Sequence, residues 1–180
     1  MNTRKYITLS IFIAITCLLQ ILSTYINFVG LPITLSLVPV IVGGAMYGVW
    51  FGSILGLSFG VMVSLIVILG LDPMGLTMFS MHPFITIGIC LFKGFIAGCL
   101  GALVYKKIDI KKVAIVISSL TATLANTISF VIVLLLCFDK TFSEVISLLL
   151  SVNLLIEIIV NMVLAPSLLP ILNKRRHKTI

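Results

Sequence analysis

Apolar runs of about twenty residues follow one another along this chain with almost nothing charged inside them. That pattern fixes the solvent before it fixes anything else. Of the 180 residues, 61% are hydrophobic and 9% charged, with a mean hydropathy of +1.32. A water-soluble domain keeps about a quarter of its residues charged. This composition cannot cover a water-facing surface, so the chain folds in lipid. A bilayer core about 30 Å thick takes a helix of about 20 residues. The sequence therefore predicts an all-α integral membrane protein, six transmembrane helices in one bundle, forming a single domain over residues 1–180. The approximate spans are 6–27, 33–47, 49–69, 83–105, 113–137 and 142–172.

Local signals mark the ends of these spans. "FVGLP" turns the chain after the first. Pro83 suits the first position of the fourth helix, where a missing N–H costs nothing. Thr141 to Glu144, "TFSE", is a capping box that opens the sixth. Pro166 and Pro170 are expected to kink or end that helix, whose length forces it to tilt, bend or leave the membrane. The N-terminal run resembles a signal peptide, but its apolar stretch continues to about Leu22 with no small-residue cleavage pattern. It is read as a retained first helix. The four cysteines lie in apolar runs without a CxxC, which points to buried apolar side chains rather than disulfides or a metal site.

With six spans, Arg4, Lys5, Lys106, Lys107, Lys111, Lys112, Lys174, Arg175, Arg176 and Lys178 all fall on one side of the membrane, and the opposite loops carry only Lys140. The positive-inside rule places both termini in the cytoplasm. The basic tail is expected at anionic lipid headgroups, and Trp50 at the cytoplasmic interface.

Gly44, Gly48, Gly52, Gly56 and Gly60 recur every four residues, and Ser64 continues the series. On a helix, Gly52, Gly56 and Gly60 form a ridge without side chains, which lets a neighbouring backbone approach closely. That neighbour is either a helix of the same bundle or a partner subunit. Gly94, Gly98 and Ala102 offer a second small-residue stripe, and Ser10 and Ala14 a third.

"CLFKGFIAG", residues 90–98, sets one lysine within an apolar run. A lysine or an acid at a helix centre costs about 2.5–3.5 kcal/mol on insertion scales. Such a group faces the bundle interior, pairs with another, or lines a site. At about 1.5 Å of rise per residue, Lys93, Asn126 and Glu157 reach a common depth near mid-membrane on three helices. Asn153, Glu157 and Asn161 form one polar face on the last helix, and Thr123 and Thr127 extend the face of Asn126. Two readings fit: a buried Lys93–Glu157 ion pair that holds helices together, or a hydrated cavity, open outward, that binds a small polar solute. The segment from Leu71 to His82 is apolar and Met-rich, so it either covers the cavity as a lid or rests on lipid. Phe79 and His82 are candidate ligand contacts there; His82 and Asp72 are both expected at the interface, with ligand contact as the other reading for each.

No GxxxxGK[ST] occurs, so the chain carries no P-loop ATPase. Ser53 stands in "GSILG" rather than a GxSG order, and the only histidines are His82 and His177. No nucleophile–base pair is available, and an enzyme is not expected. There is no inverted repeat of the kind stand-alone transporters carry, and no filter-like sequence or ring of charge.

"LPITLSLVPVIVGGAMYGVWFGSILGLSFG", "CLFKGFIAGCLGALVYKK", "ANTISF" and "NLLIEIIVNMVLAP" resemble the substrate-binding S component of energy-coupling factor (ECF) vitamin transporters, and most closely its pantothenate-type members. The resemblance covers essentially the whole chain. It implies a multi-pass subunit of a bacterial plasma membrane that captures a vitamin from outside. The vitamin is then delivered through a transmembrane scaffold subunit and two ATPase subunits, which use the ATP; the chain itself holds no cofactor. Two departures stand out. Gly48-Val49 replaces a frequent Gly-Pro, and Ser10 and Ala14 replace the AxxxA contact for the scaffold. Lys93 suits a carboxylate such as that of pantothenate, and Asn126, Asn153 and Glu157 suit hydroxyls and an amide. Riboflavin, which Phe79, Phe84 and Tyr25 could stack upon, remains an alternative. So do a stand-alone permease and an assembly subunit that transports nothing.

Overall fold

The computed structural model describes the backbone of residues 3–25, 27–28, 31–32, 34–137 and 140–178, and the side chains of residues 3–25, 34–132, 154–172 and 174. Its helices are α1 (Thr3–Tyr25), α2 (Leu37–Tyr47), α3 (Val49–Ile68), α4 (Pro73–Met81), α5 (Pro83–Lys107), α6 (Lys111–Cys137) and α7 (Lys140–Lys178). A two-residue antiparallel pairing of β1 (Asn27–Phe28) with β2 (Leu31–Pro32) lies between α1 and α2. Five helices are long and apolar enough to cross a membrane, and α2 is a shorter apolar helix. The chain is therefore an all-helical, multi-pass bundle of about six membrane helices. The "TFSE" capping box and the side chain of Cys137 lie outside the described side chains.

The short helix α2 is the axis of the bundle. Every residue from Leu37 to Gly44 is buried, as a helix apolar on all sides requires. At about 1.5 Å per residue its eleven residues cover only about half of a bilayer core. The chain entering it is thus non-helical at membrane depth, a state tolerated only where other groups satisfy the backbone. They do so here. The Thr34 N–H donates to Glu157 Oε1 over 3.0 Å, and the Leu35 N–H donates to Ser23 Oγ over 3.2 Å. The Ser36 hydroxyl donates to Gln20 Oε1 at 2.5 Å. The sequence predicts this helix from residue 33; it begins at Leu37, after a turn at Leu35 and Ser36 that side chains of α1 and α7 hold in place.

α2 turns into α3 at Gly48, whose φ of 97° is a region that side chains rarely adopt. The glycine ridge of α3 then faces α5. A Cβ on Gly60 would lie 2.5 Å from the Cys90 carbonyl oxygen, and one on Gly52 would lie 2.7 Å from that of Gly98. Gly56 and Gly94 meet reciprocally, each against the other's carbonyl oxygen. The ridge is internal packing, with the two backbones in direct contact. On the far side of α5, Gly101 receives α6: the Ser118 hydroxyl donates to the Gly101 carbonyl oxygen over 2.7 Å.

Two further stretches differ from expectation. Residues 73–81 form a helix rather than a loop, because Asp72 caps it by accepting from the Met74 N–H over 3.2 Å and Pro73 sits in its first turn. The last helix also runs unbroken through Pro166 and Pro170 to Lys178. Prolines are tolerated in membrane helices, whose neighbours and local adjustments satisfy the freed carbonyls.

Candidate functional site

A cavity of about 90 Å³ lies in the half of the bundle distant from the Lys106–Lys112 turn. It is enclosed by α1, α3, α4, α5, α6 and α7 and by the entry to α2. The cover is α4. Met74, Gly75 and Met78 line the cavity from above, with Met78 buried to 1% exposure, while Leu76 and Met81 face outward. Gly75 is needed there because a Cβ would meet Val67 Cγ2 at 2.5 Å and Asp72 Oδ2 at 2.8 Å. The lid reading of residues 71–82 thus describes one face of α4, and the lipid reading its other face.

The polar residues of the lining come from different elements. Lys93 projects from α5, positioned by the α3–α5 contact that brings Phe59 opposite it. Its ammonium lies 6.0 Å from the Phe59 ring centroid and 5.0 Å from that of Phe130 on α6. Cation–π contacts of this kind are worth about 0.5–1 kcal/mol, rising to about 2 when desolvated. Lys93 makes no ion pair among the described residues. Glu157, 3% exposed, is instead engaged by Thr34, whose N–H and hydroxyl both reach Oε1. A carboxylate at that point lies against the N-terminal end of α2, where the macrodipole favours negative charge. The buried acid thus belongs to the backbone entering α2, and the buried ammonium faces the cavity.

Asn126 lines the cavity at 5% exposure, and its buried Oδ1 has no hydrogen-bond partner among the described residues. An orphaned buried acceptor costs about 1–3 kcal/mol. Two threonines spend their protons on backbone carbonyls: Thr24 on Gln20 over 3.0 Å and Thr86 on His82 over 2.9 Å. The Thr86 oxygen is left as an acceptor in the lining. Asp72 and Thr127 complete the polar wall. The cavity therefore presents one ammonium, two carboxylates (Asp72 and Glu157, the latter engaged by Thr34) and further acceptors. Beside Lys93 it is suited to an anionic group, and elsewhere to hydroxyl or amide donors.

Lys93, Asn126, Thr127 and Glu157 lie together in the lining. Asn161 does not. Fully buried, it donates through Nδ2 to Thr123 Oγ1 over 3.0 Å, a bond that ties α7 to α6. The Thr123 hydroxyl donates onward to the Ser119 carbonyl oxygen, so it can only accept from Asn161. Phe79 is half-buried against the core, and His82 sits exposed at the junction of α4 and α5; neither lines the cavity. The side chain of Asn153 lies outside the described residues. Ser10 and Ala14 are both on the exposed face of α1, each open to a partner or to lipid.

Sequence reasoning passed over Phe59, Phe130, Gln20 and Thr34. Gln20 had a readable signal, as the one side-chain amide in an apolar helix. Phe59 had a weaker one, since it sits between Gly56 and Gly60 on the ridge that approaches α5. Phe130 and Thr34 have none, because their roles depend on which helix lies opposite.

A family model described as ECF transporter, substrate-specific component, matches residues 4–169 of the chain. No curated protein matches it.

Proposed function

The chain belongs to the substrate-specific components of ECF transporters, and from that premise we propose that its ligand is a small carboxylic acid rich in hydroxyl and amide groups, with pantothenate the best fit. A substrate-specific component takes the small-molecule substrate for a module with its own scaffold and ATPases. The observation that carries the proposal is the Lys93 ammonium, flanked by Phe59 and Phe130, facing a cavity and lacking an ion pair among the described residues. A cation held in that state at membrane depth is costly, and a ligand carboxylate offsets the cost.

The rest of the lining supports the same ligand class. The Asn126 Oδ1, which has no hydrogen-bond partner among the described residues, and the acceptor oxygen of Thr86 call for donors, and pantothenate carries two hydroxyls and an amide N–H. The rings that could stack riboflavin do not serve it: Phe84 and Tyr25 are 89% and 74% exposed, and Phe79 is not in the lining.

Thermal unfolding of the purified chain with a panel of vitamins tests this. Pantothenate at a hundredfold excess over its dissociation constant adds about 2.7 kcal/mol, a rise of about 5–11 °C for a chain of this size. A rise with riboflavin and none with pantothenate would reject the assignment.

A further inference from the structure

We infer that the turn joining α5 to α6 is a contact site for anionic phospholipid headgroups. Residues 106–112, "KKIDIKK", carry four lysines against one acid, Asp109. All four lysines are exposed. The ammonium of Lys111 is held over the Tyr105 ring at 5.2 Å and donates to the Ile108 carbonyl oxygen over 3.2 Å. Lys106, Lys107 and Lys112 have no ion pair among the described residues. Lys106 and Lys107 suit the last turn of α5, but Lys111 and Lys112 open α6, where the macrodipole disfavours cations and the first turn holds no acid. Helix stability alone does not account for the second pair.

Position selects the occupant. The turn lies at the ends of two membrane-crossing helices, which holds the lysines at the bilayer surface. Ile110 is 67% exposed and Val113 44% exposed beside them. Apolar side chains there are suited to the boundary between headgroups and acyl chains, and the ammonium groups to the phosphates above it. An acidic protein surface would use the charges but would leave Ile110 and Val113 without a role. Arg4, Lys5 and Lys174 are exposed as well, but no described cluster among them matches the density of residues 106–112.

Trp50 is the only tryptophan of the chain and is 74% exposed. It reports on this region, because Gly52 packs against Ala102, one turn before Lys106. The chain is reconstituted in phosphatidylcholine vesicles containing brominated phosphatidylglycerol or brominated phosphatidylcholine at equal mole fraction, and quenching of Trp50 is read. Each lysine near an anionic surface is worth about a fivefold preference. The phosphatidylglycerol preference should therefore be at least about fivefold at low salt and fade as salt shortens the Debye length. Replacing the cluster together (Lys106→Gln, Lys107→Gln, Lys111→Gln, Lys112→Gln) should bring the preference to about one at an unchanged melting temperature. Equal quenching by the two lipids in the unaltered chain would overturn the inference and leave an acidic protein surface as the occupant. An undiminished preference in the fourfold variant would also overturn it, by assigning lipid binding to the termini.

Discussion

Gly60→Ala adds one methyl group at the point where α3 and α5 touch. Its Cβ would lie 2.5 Å from the Cys90 carbonyl oxygen and 2.8 Å from Leu91 Cα. Both are backbone atoms of a packed helix and cannot swing aside. Ordinary contact begins near 3.4 Å, so the helices must separate locally by about 0.9 Å. Overpacking of this kind costs about 1–3 kcal/mol. Gly88→Ala is the matched control. It lies on the same helix as Cys90, and a Cβ there meets nothing within 4 Å. Both substitutions change helix propensity alike, so their difference isolates the contact. Thermal unfolding in detergent without ligand should place Gly60→Ala about 2–12 °C below Gly88→Ala, at about 2–4 °C per kcal/mol for a chain of this size. The separation also draws Phe59 away from Lys93, already 6.0 Å from the ring centroid and at the edge of useful cation–π range. Ligand affinity should fall with stability. Equal melting temperatures for the two variants would refute the close α3–α5 contact and, with it, the placement of Lys93.

Three other outcomes follow from particular contacts. Gly48→Ala meets no atom within 4 Å, so its cost is the backbone strain at φ 97° and ψ −179° alone, about 1–3 kcal/mol; an unchanged melting temperature would show that the α2–α3 turn is made differently. Glu157→Leu strands the Thr34 N–H and should lower ligand-free stability by about 1–3 kcal/mol, whereas Glu157→Gln keeps an acceptor and should lose less; equal losses would remove Glu157 from that role. Asn126→Leu deletes an acceptor that has no partner among the described residues, so ligand-free melting should hold or rise while ligand affinity falls about tenfold; a large loss of ligand-free stability would make Asn126 a structural residue.

How far the sequence could be read depended on whether a feature was local. The apolar runs and the four-residue glycine spacing are local, and the helices and the α3 ridge could be expected from them. The depths of Lys93, Asn126 and Glu157 need only the helical rise, and the three lie around one cavity. What Glu157 binds could not be read, because Thr34 is 123 residues away in sequence and meets it only once α2 is shortened and buried. The α4 helix was legible in principle: Asp72-Pro73 is a cap followed by a first-turn proline, but the Met-rich composition drew attention to the segment's apolarity instead. The rings beside Lys93 follow no spacing rule, since Phe59 and Phe130 converge through two separate helix contacts. Asn161 shows the reverse limit. Its four-residue spacing from Glu157 suggests a shared face, yet Thr123 engages it away from the cavity.

The central claim, that the Lys93 ammonium is there for a ligand carboxylate, is tested most directly by measuring the affinities of pantothenate and of its alcohol analogue for the unaltered chain and for Lys93→Met. A hydrogen bond to a charged group is worth about 1.5–3 kcal/mol, so the unaltered chain should prefer the acid by about tenfold to a hundredfold. Lys93→Met should bind the two compounds alike and bind the acid more weakly. Equal affinity of the unaltered chain for acid and alcohol, or a preference for the acid that survives in Lys93→Met, would contradict the account.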